Sequence, residues 1–405
     1  MIEVKSLPQL RFPEFSECWK YIKLGEVAHF SKGKNVSKDE VTEDGLNECI
    51  RYGELYTTYN ETISEVFSKT NLSLDESVVS QANDVIIPAS GETQLDIATA
   101  SCVLREGIIL GGDLNIIRTA NSGVFLSYYL NNKGRYDIAR LSQGSSVVHL
   151  YSKQLSRLKI NFPALPEQQK IASFLTAVDD KITQLTKKKA LLEQYKKGVM
   201  QRIFSQEIRF RDDEGGDYPE WENKRLKEFI LDFIVPMRDK PKDLTGEIPW
   251  CRIEDFEGKY LSKSKTNQGV TEKVVRQMNL KVYPVNTLLV SCSANLGFCA
   301  IVQKELITNQ TFIGLFPDLN RIDVDFLYHI MKLSSRRLNI LSSGTTISYL
   351  SRKQFENFKI QYPCVEEQIK IASFLSAIDD KISQVGSQVE KTAAFKKGLL
   401  QQMLV

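Results

Sequence analysis

Two short segments of the chain pair an arginine with a carboxylate three residues later. Arg51 precedes Glu54 in CIRYGE (49–54), and Arg252 precedes Asp255 in WCRIED (250–255). Such a pair is either a structural ion pair or a guanidinium presented to a polyanion. Two further loops combine glycine with hydroxyls, Gln143-Gly144-Ser145-Ser146 and Ser343-Gly344-Thr345-Thr346. Amides and hydroxyls in a glycine-permitted turn can approach a phosphate or a base edge closely, although a helix C-cap with solvated hydroxyls reads the same way. Lys153 and Lys353 follow these loops at equal distance. Lys32-Gly33-Lys34-Asn35 with Lys38, and Lys263-Ser264-Lys265-Thr266-Asn267-Gln268, are lysine and amide loops of the kind that reads groove edges; ordinary surface loops share that composition. The chemistry all of these offer is contact with a phosphate or a base edge.

Bond-making chemistry is missing from the sequence. No glycine-rich loop ends in GK[ST], no GxGxxG follows a strand, and no Asn-Pro-Pro-aromatic motif occurs. Glu257-Gly258-Lys259 resembles the tail of a nuclease motif but has no counterpart in the other half of the chain. Seven cysteines without a CxxC pair and three histidines (His29, His149, His329) argue against a metal site or a disulfide framework and favour a reducing cytoplasm. With 42% hydrophobic and 25% charged residues the composition is that of a soluble globular protein. No run of 18 apolar residues and no basic-then-apolar start point to a membrane or a secretory route. A net charge of +3 is weak for a chain that grips nucleic acid alone, so DNA binding would rest on local basic faces or on partner subunits.

The elements that must position these loops are duplicated. PALPEQQKIASFLTAVDDKI (163–182) and PCVEEQIKIASFLSAIDDKI (363–382) are offset by 200 residues without a gap, and 14 of 20 positions are identical. The match extends upstream through Lys153-Gln154 and Lys353-Gln354, and downstream to Lys196-Lys197-Gly198 and Lys396-Lys397-Gly398. Leu10-Arg11-Phe12 and Ile208-Arg209-Phe210 open the two halves. The second part of each half is nearly constant and the first has diverged, a pattern of constant scaffold and variable reader.

From Glu167 to Phe204 apolar residues recur at 3-then-4 spacing without an internal proline. One seam holds Ile171, Val178, Leu185, Leu192 and Val199; the other holds Leu175, Ile182, Lys189, Lys196 and Ile203. The second copy gives Ile371, Ile378, Val385 and Leu399, with Leu375 and Ile382 in the companion row. A heptad kept over about five repeats predicts a coiled coil, about 57 Å long for some 38 residues. Pro166 and Glu167, like Glu366-Glu367, suit a helix start. Each helix should find the other copy as an antiparallel partner about a pseudo-two-fold axis. Lys189, Lys196 and Lys396 fit poorly in a dry seam; they either fix register, face another subunit or snorkel to water. The basic run from Lys181 to Arg202 is a solvated face or a contact for a polyanion or acidic partner. The polar, glycine-bearing linker at 206–217 marks a boundary.

In the variable parts, short apolar runs at 84–88, 107–110, 115–118, 286–290 and 311–316 read as strands, and 124–140 and 324–341 as helices. The predicted fold is α+β: two α/β readers joined by two long helices packed as an antiparallel coiled coil. The expected domains are 1–160, 161–206 (helix), 207–362 and 363–405 (helix).

This layout resembles the specificity subunit of Type I restriction–modification enzymes. The resemblance rests on the Pro-x-x-x-Glu-Gln-x-Lys-Ile-Ala helix entries, the Asp-Asp-Lys-Ile segments, the Lys-Lys-Gly near each helix end, the Gly-Ser-Ser and Gly-Thr-Thr loops, the Arg-Phe openings and the Arg-x-x-(Glu/Asp) strands, and it covers nearly the whole chain. It implies two target-recognition domains, each reading half of a split, asymmetric site in double-stranded DNA, with the helices as a ruler. It also implies two methylation subunits that transfer methyl from S-adenosylmethionine to adenine, and two restriction subunits that use ATP and Mg for translocation and cleavage. The chain itself would be non-catalytic and carry no cofactor. The helices diverge over 185–194 and 385–394, so the symmetry there is approximate. The rivals are a coiled-coil structural or adaptor protein that binds no DNA and a stand-alone enzyme, for which no catalytic constellation is present.

Overall fold

The computed structural model describes residues 7–34, 36–144, 147–237, 240–293, 296–342 and 349–405. It divides into two compact units: residues 1–186 with 387–405, and residues 187–386. Four helices organise them: α1 (Gly123–Asn131), α2 (Leu165–Phe204), α3 (Val324–Leu333) and α4 (Val365–Met403). Each unit therefore contains one reader, the first half of the long helix that follows it, and the second half of the other long helix.

In the first unit a five-stranded sheet runs in the order Ala28–Lys32, Leu114–Thr119, Asp84–Pro88, Ser101–Val103, Thr62–Ile63. Its central strand, DVIIP, is buried throughout, as expected where both faces are covered. Alternate residues serve different cores. Val85, Ile87 and Ile117 face α1 and the long helices, while Ile86, Ile116 and Val103 face a second cluster around Ile50, Leu55 and Ile63. A three-stranded sheet lies with that second core, built from β1 (Asn47–Ile50), Ser68–Thr70 and β2 (Ile109–Leu110); β1 and β2 are parallel.

The second unit repeats this construction. Its sheet order is Ile230–Ile234, Phe312–Pro317, Leu288–Ser291, Cys299–Val302, Tyr260–Leu261, and β3 (Ile248–Cys251) pairs in parallel with β4 (Ile307–Thr308). Leu288 and Val290 enter one core and Leu289 the other. The strands predicted at 84–88, 115–118, 286–290 and 311–316 are present within two residues, whereas 107–110 contributes only Ile109–Leu110. The helices read at 124–140 and 324–341 are each two helices: the first breaks between Asn131 and Arg135, the second at Ser334.

The long helices start at Leu165 and Val365, so Pro166 sits inside the first turn of α2 instead of before it. The repeated Glu-Gln at each entry has a purpose that local sequence hides. Glu167 accepts from Arg11 Nε and Nη2, both at 2.7 Å, and from the Trp19 indole at 3.2 Å. Glu367 accepts from Arg209 at 3.3 and 2.9 Å and from Trp221 at 2.9 Å. Both carboxylates are essentially buried, so they clamp the opening segment of each half to its helix instead of complementing a solvated helix end. Gln168 and Gln368 donate to the Pro163 and Pro363 carbonyls and accept from the backbone N–H of Ser122 and Asp323, the residues that cap α1 and α3.

Within each unit the helix halves pack together. Ile171, Leu175 and Val178 share a core with Leu399 and Met403. Met200 and Ile203 share one with Ile371, Leu375 and Ile378. In the second unit Lys196 lies on Asp379, and Gly386 lies against Lys189, so seven residues forward along α2 is seven back along α4: the pair is antiparallel. Leu185 and Val385 are buried; Ile182, Ile382, Leu192 and Val199 are half-buried.

The lysines that fit poorly in the heptad seam are paired. Lys196 donates to both oxygens of Asp379 at 2.5 Å. Its counterpart Lys396 meets Asp179 at 2.7 Å and Glu61 at 3.0 Å. Burial lowers the Lys196 pKa, whereas for Lys396 the effect of burial is outweighed by Glu61 and Asp179 and the pKa is raised. The physical difference is the neighbouring charge: Lys332 and Lys259 oppose Lys196, where Glu61 joins Asp179 in supporting Lys396. Lys259 stands where Glu61 does, each carbonyl accepting from the equivalent strand at Ile301 and Cys102, and Lys259 pairs with Asp325 at 2.6 Å. Lys259 is thus held within the fold, by Asp325 and the Ser376 hydroxyl.

Candidate nucleic-acid interface

The two arginines singled out in the sequence follow β1 and β3 directly. Neither forms the expected ion pair with the carboxylate three residues on. Glu54 instead accepts from the Arg51 backbone N–H at 2.7 Å, and Asp255 from the Arg252 backbone N–H, also at 2.7 Å. Each carboxylate closes a short turn, which leaves the guanidinium to project elsewhere. Arg51 Nε is buried without a hydrogen-bond partner among the described residues. Arg252 donates to Gln268 at 2.5 Å and lies 3.4 Å from Glu254.

Both arginines line a cleft. In the first unit the cleft measures about 880 Å³ and is formed by Arg51, Tyr52 and Gly53, the Val36–Glu40 segment and Gly111-Gly112-Asp113. In the second it measures about 330 Å³ and is lined by Arg252, Trp250, Met237, Lys240, Asn309 and Gln310. The two clefts have the same address in the fold: the turn after β1 or β3, the turn after β2 or β4, and the segment leaving the first strand of the large sheet. The pairing of Ile50 with Leu110 and of Cys251 with Thr308 places Gly111-Gly112 and Asn309-Gln310 at equivalent positions.

Other predicted residues gather at the same end of the sheet. Lys32 lies 3.9 Å from Asp113 on the cleft wall, and Lys34 donates its backbone N–H to Leu110 O and its ammonium to Glu76 O at 3.1 Å. The glycine loop connects through one residue: Ala89 donates to Asp113 O while its own carbonyl accepts from Leu150 N. Cys292 repeats both bonds, to Thr311 O and from Leu350 N. Gln143 and His149 exchange backbone hydrogen bonds at 3.0 and 2.7 Å, and the preceding helix ends at Leu141 with Ser142 already extended. Gln143 and Gly144 therefore lie beyond the helix C-cap at Ser142, and Gln143 forms a strand-like bridge to His149. Gly144 has φ +128°, and a Cβ there would lie 2.0 Å from Val147 O, so the position demands glycine. Lys153 and Lys353 are exposed. Lys263 is exposed too, while Lys265 pairs with Glu257 at 2.9 Å and its neighbour Ser264 is buried on Asp255. Asn35, Ser145, Ser146, Gly344, Thr345 and Thr346 lie outside the described residues.

Sequence reasoning missed Tyr52, Gly111-Gly112, Trp250, Lys240 and Asn309-Gln310. The available signal was the flanking match of Ile109 with Ile307, but glycine aligned with asparagine carries none. Among the described residues no group of His, Cys, Asp and Glu is placed to hold a metal ion, and no helix is long and apolar enough to cross a membrane.

The family model for the Type I restriction modification DNA specificity domain matches this chain twice, at residues 16–194 and 218–390. The chain belongs to that family. Each match takes in one reader and part of the long helix that follows it. Over 99% of its length the chain is 24% identical to the MjaVIII specificity subunit of Methanocaldococcus jannaschii, of which the match covers 94%. It is 31% identical to the MjaIX specificity subunit of the same organism over 46% of this chain and 44% of that one. Its fold is that of the S subunit of the Type I restriction–modification system from M. genitalium, with TM-score 0.66, 16% identity and 99% of each chain covered. A structure described as the basis of complex assembly and conformational transition of the type I R-M system matches with TM-score 0.54 at 18% identity, over 95% of this chain and 96% of that one. Membership in this family makes DNA and restriction–modification subunits the partners of this specificity subunit, and makes its readers target-recognition domains.

Proposed function

We propose that this specificity subunit recognises a split, asymmetric DNA target, one half with each reader, and holds two methylation subunits for adenine methylation and two restriction subunits for ATP-dependent cleavage. The observation that carries this reading is the pair of equivalent clefts. One fold is present twice, the arginine at each cleft is kept, and the remaining walls differ in size and chemistry. Two readers with different walls suit two different half-sites, and a non-palindromic target follows. The long helices act as the spacer between the half-sites, which on one face of B-DNA must be separated by near-whole turns of about 34 Å.

The chain is non-catalytic in this reading. S-adenosylmethionine, ATP and Mg belong to the partner subunits, and the complex works in the cytoplasm. The partners supply much of the phosphate grip that a net charge of +3 does not. The test is methylated-base sequencing of DNA treated with the chain alone, with the methylation subunit alone, and with both. Adenine methylation at one bipartite, asymmetric sequence only when both are present is the expected result. Methylation by the single chain, or a complex that methylates without sequence preference, contradicts the proposal.

A further inference from the structure

The two clefts occupy one address but differ at the dipeptide that follows β2 or β4. In the first unit it is Gly111-Gly112, which offers backbone alone. In the second it is Asn309-Gln310, which offers two carboxamides. Around this difference the frame is constant. The strand before the dipeptide pairs in parallel with the strand that carries the arginine, at Ile50 with Leu110 and at Cys251 with Thr308. The residue after it, Asp113 or Thr311, accepts the same backbone hydrogen bond, from Ala89 at 2.7 Å or Cys292 at 2.9 Å. The backbone is therefore fixed on both sides and only the side chains change.

Asn309 is oriented by its neighbour: its Oδ1 accepts from the Thr311 hydroxyl at 2.6 Å, and among the described residues its amide nitrogen makes no hydrogen bond. Gln310 is exposed, and among the described residues its side chain makes no hydrogen bond. An oriented carboxamide beside a free one, at the wall of a cleft that also holds Arg252, is the donor–acceptor set that recognises a purine edge. Asn and Gln pair bidentately with the N6 and N7 of adenine, and arginine with the O6 and N7 of guanine. The first cleft, at about 880 Å³ against about 330 Å³, has no side chain at 111 and 112, and its polar lining comes instead from Arg51, Tyr52, Ser37, Lys38, Glu40 and Asp113.

We propose that the position following β2 and β4 is a specificity-determining site, at which Asn309 and Gln310 read base edges in the half-site of the second reader while Gly111-Gly112 leaves that contact to Arg51 in the first. The inference rests on the DNA-reading function proposed above, and it adds which residues discriminate.

The test uses the full chain assembled with its methylation subunit. Gln310→Ala and the double substitution Asn309→Ala/Gln310→Ala are compared with wild type by methylated-base sequencing and by competition binding to duplexes that carry each single-base change. Gln310 is exposed, so its truncation leaves the fold intact. The expected result is a loss of discrimination of about tenfold or more at one or two positions of the second half-site, with the first half-site unchanged. If methylation itself falls too low to sequence, the binding competition reads the same discrimination. A target identical to wild type, or equal loss in both half-sites, overturns the inference while leaving the proposed function in place. Failure of wild type to show any sequence preference would instead overturn the proposed function.

Discussion

Lys196 donates to both carboxylate oxygens of Asp379, each at 2.5 Å, from a position that the heptad pattern reserves for an apolar side chain. The ammonium is nearly buried and Asp379 partly so. A buried charged pair in a largely apolar helix seam favours one register, because a slip in either direction takes the ammonium off its carboxylate. Removing one partner should therefore cost more than the pair itself contributes. Lys196→Met is expected to lower unfolding free energy by about 2 kcal/mol in urea titration. Lys196→Met/Asp379→Leu should recover much of that loss, since no uncompensated charge remains. A double variant as unstable as the single one would argue against the register role.

Glu167 gathers Arg11 and Trp19 onto the start of α2, and Glu367 does the same for Arg209 and Trp221 on α4. Glu167→Gln keeps the size of the side chain but removes the buried charge that holds the half-buried Arg11 guanidinium. A loss of about 2–3 kcal/mol in unfolding free energy is expected, and an equal loss for Glu367→Gln. Limited proteolysis should cleave the opening segment of the altered half first. Proteolysis that ignores which half carries the substitution would contradict the clamp.

His329 is fully buried, among the described residues both its ring nitrogens are unpartnered, and burial, reinforced by Lys196, Lys259 and Lys332, lowers its pKa to about 2 from 6.5. The unfolded chain takes up a proton near pH 6.5, while the folded one stays neutral until about pH 2. The stability tied to this residue is thus complete above pH 6.5 and is lost as pH falls below it, by up to about 1.4 kcal/mol per unit. His329→Phe keeps the ring and removes the titration. Between pH 7 and pH 5 its unfolding free energy should fall by about 2 kcal/mol less than that of wild type in parallel denaturant titrations. Equal slopes would show that His329 protonates as readily folded as unfolded.

Much of the scaffold was legible because its signals are local or repeated. The heptad rows of Ile171, Leu175, Val178 and their copies specify a helix within a few residues, and the 200-residue offset shows that whatever Glu167 and Lys196 do is done twice. What Glu167 touches was not legible, since Arg11 lies 156 residues away and nothing near the helix hints at it. The clefts were half legible. Arg51 and Arg252 align, but the residues facing them arrive on another strand about 60 residues downstream, and the walls differ because the two copies have diverged there. The expected arginine–carboxylate ion pairs failed for a local reason: Glu54 and Asp255 are the right distance to close a turn onto the backbone N–H three residues earlier.

Arg51 and Arg252 are the cations kept at both clefts. In the assembled complex, Arg51→Ala and Arg252→Ala are each expected to weaken DNA binding. If the contact is to phosphate, the slope of log affinity against log salt becomes shallower by about one, with little change in sequence preference. If it is to guanine, discrimination falls at one position and the slope changes less. Filter binding over a salt series separates the two. Unchanged affinity in both variants would remove the arginines from the interface.

The most direct test of two independent readers exchanges residues 1–160 for the corresponding reader of a related specificity subunit, keeps both long helices, and sequences the methylated bases that the assembled complex produces. The account predicts a target in which one half changes to that of the donor while the other half and the gap stay as they were. A target that is unchanged, or one in which both halves change together, would contradict it.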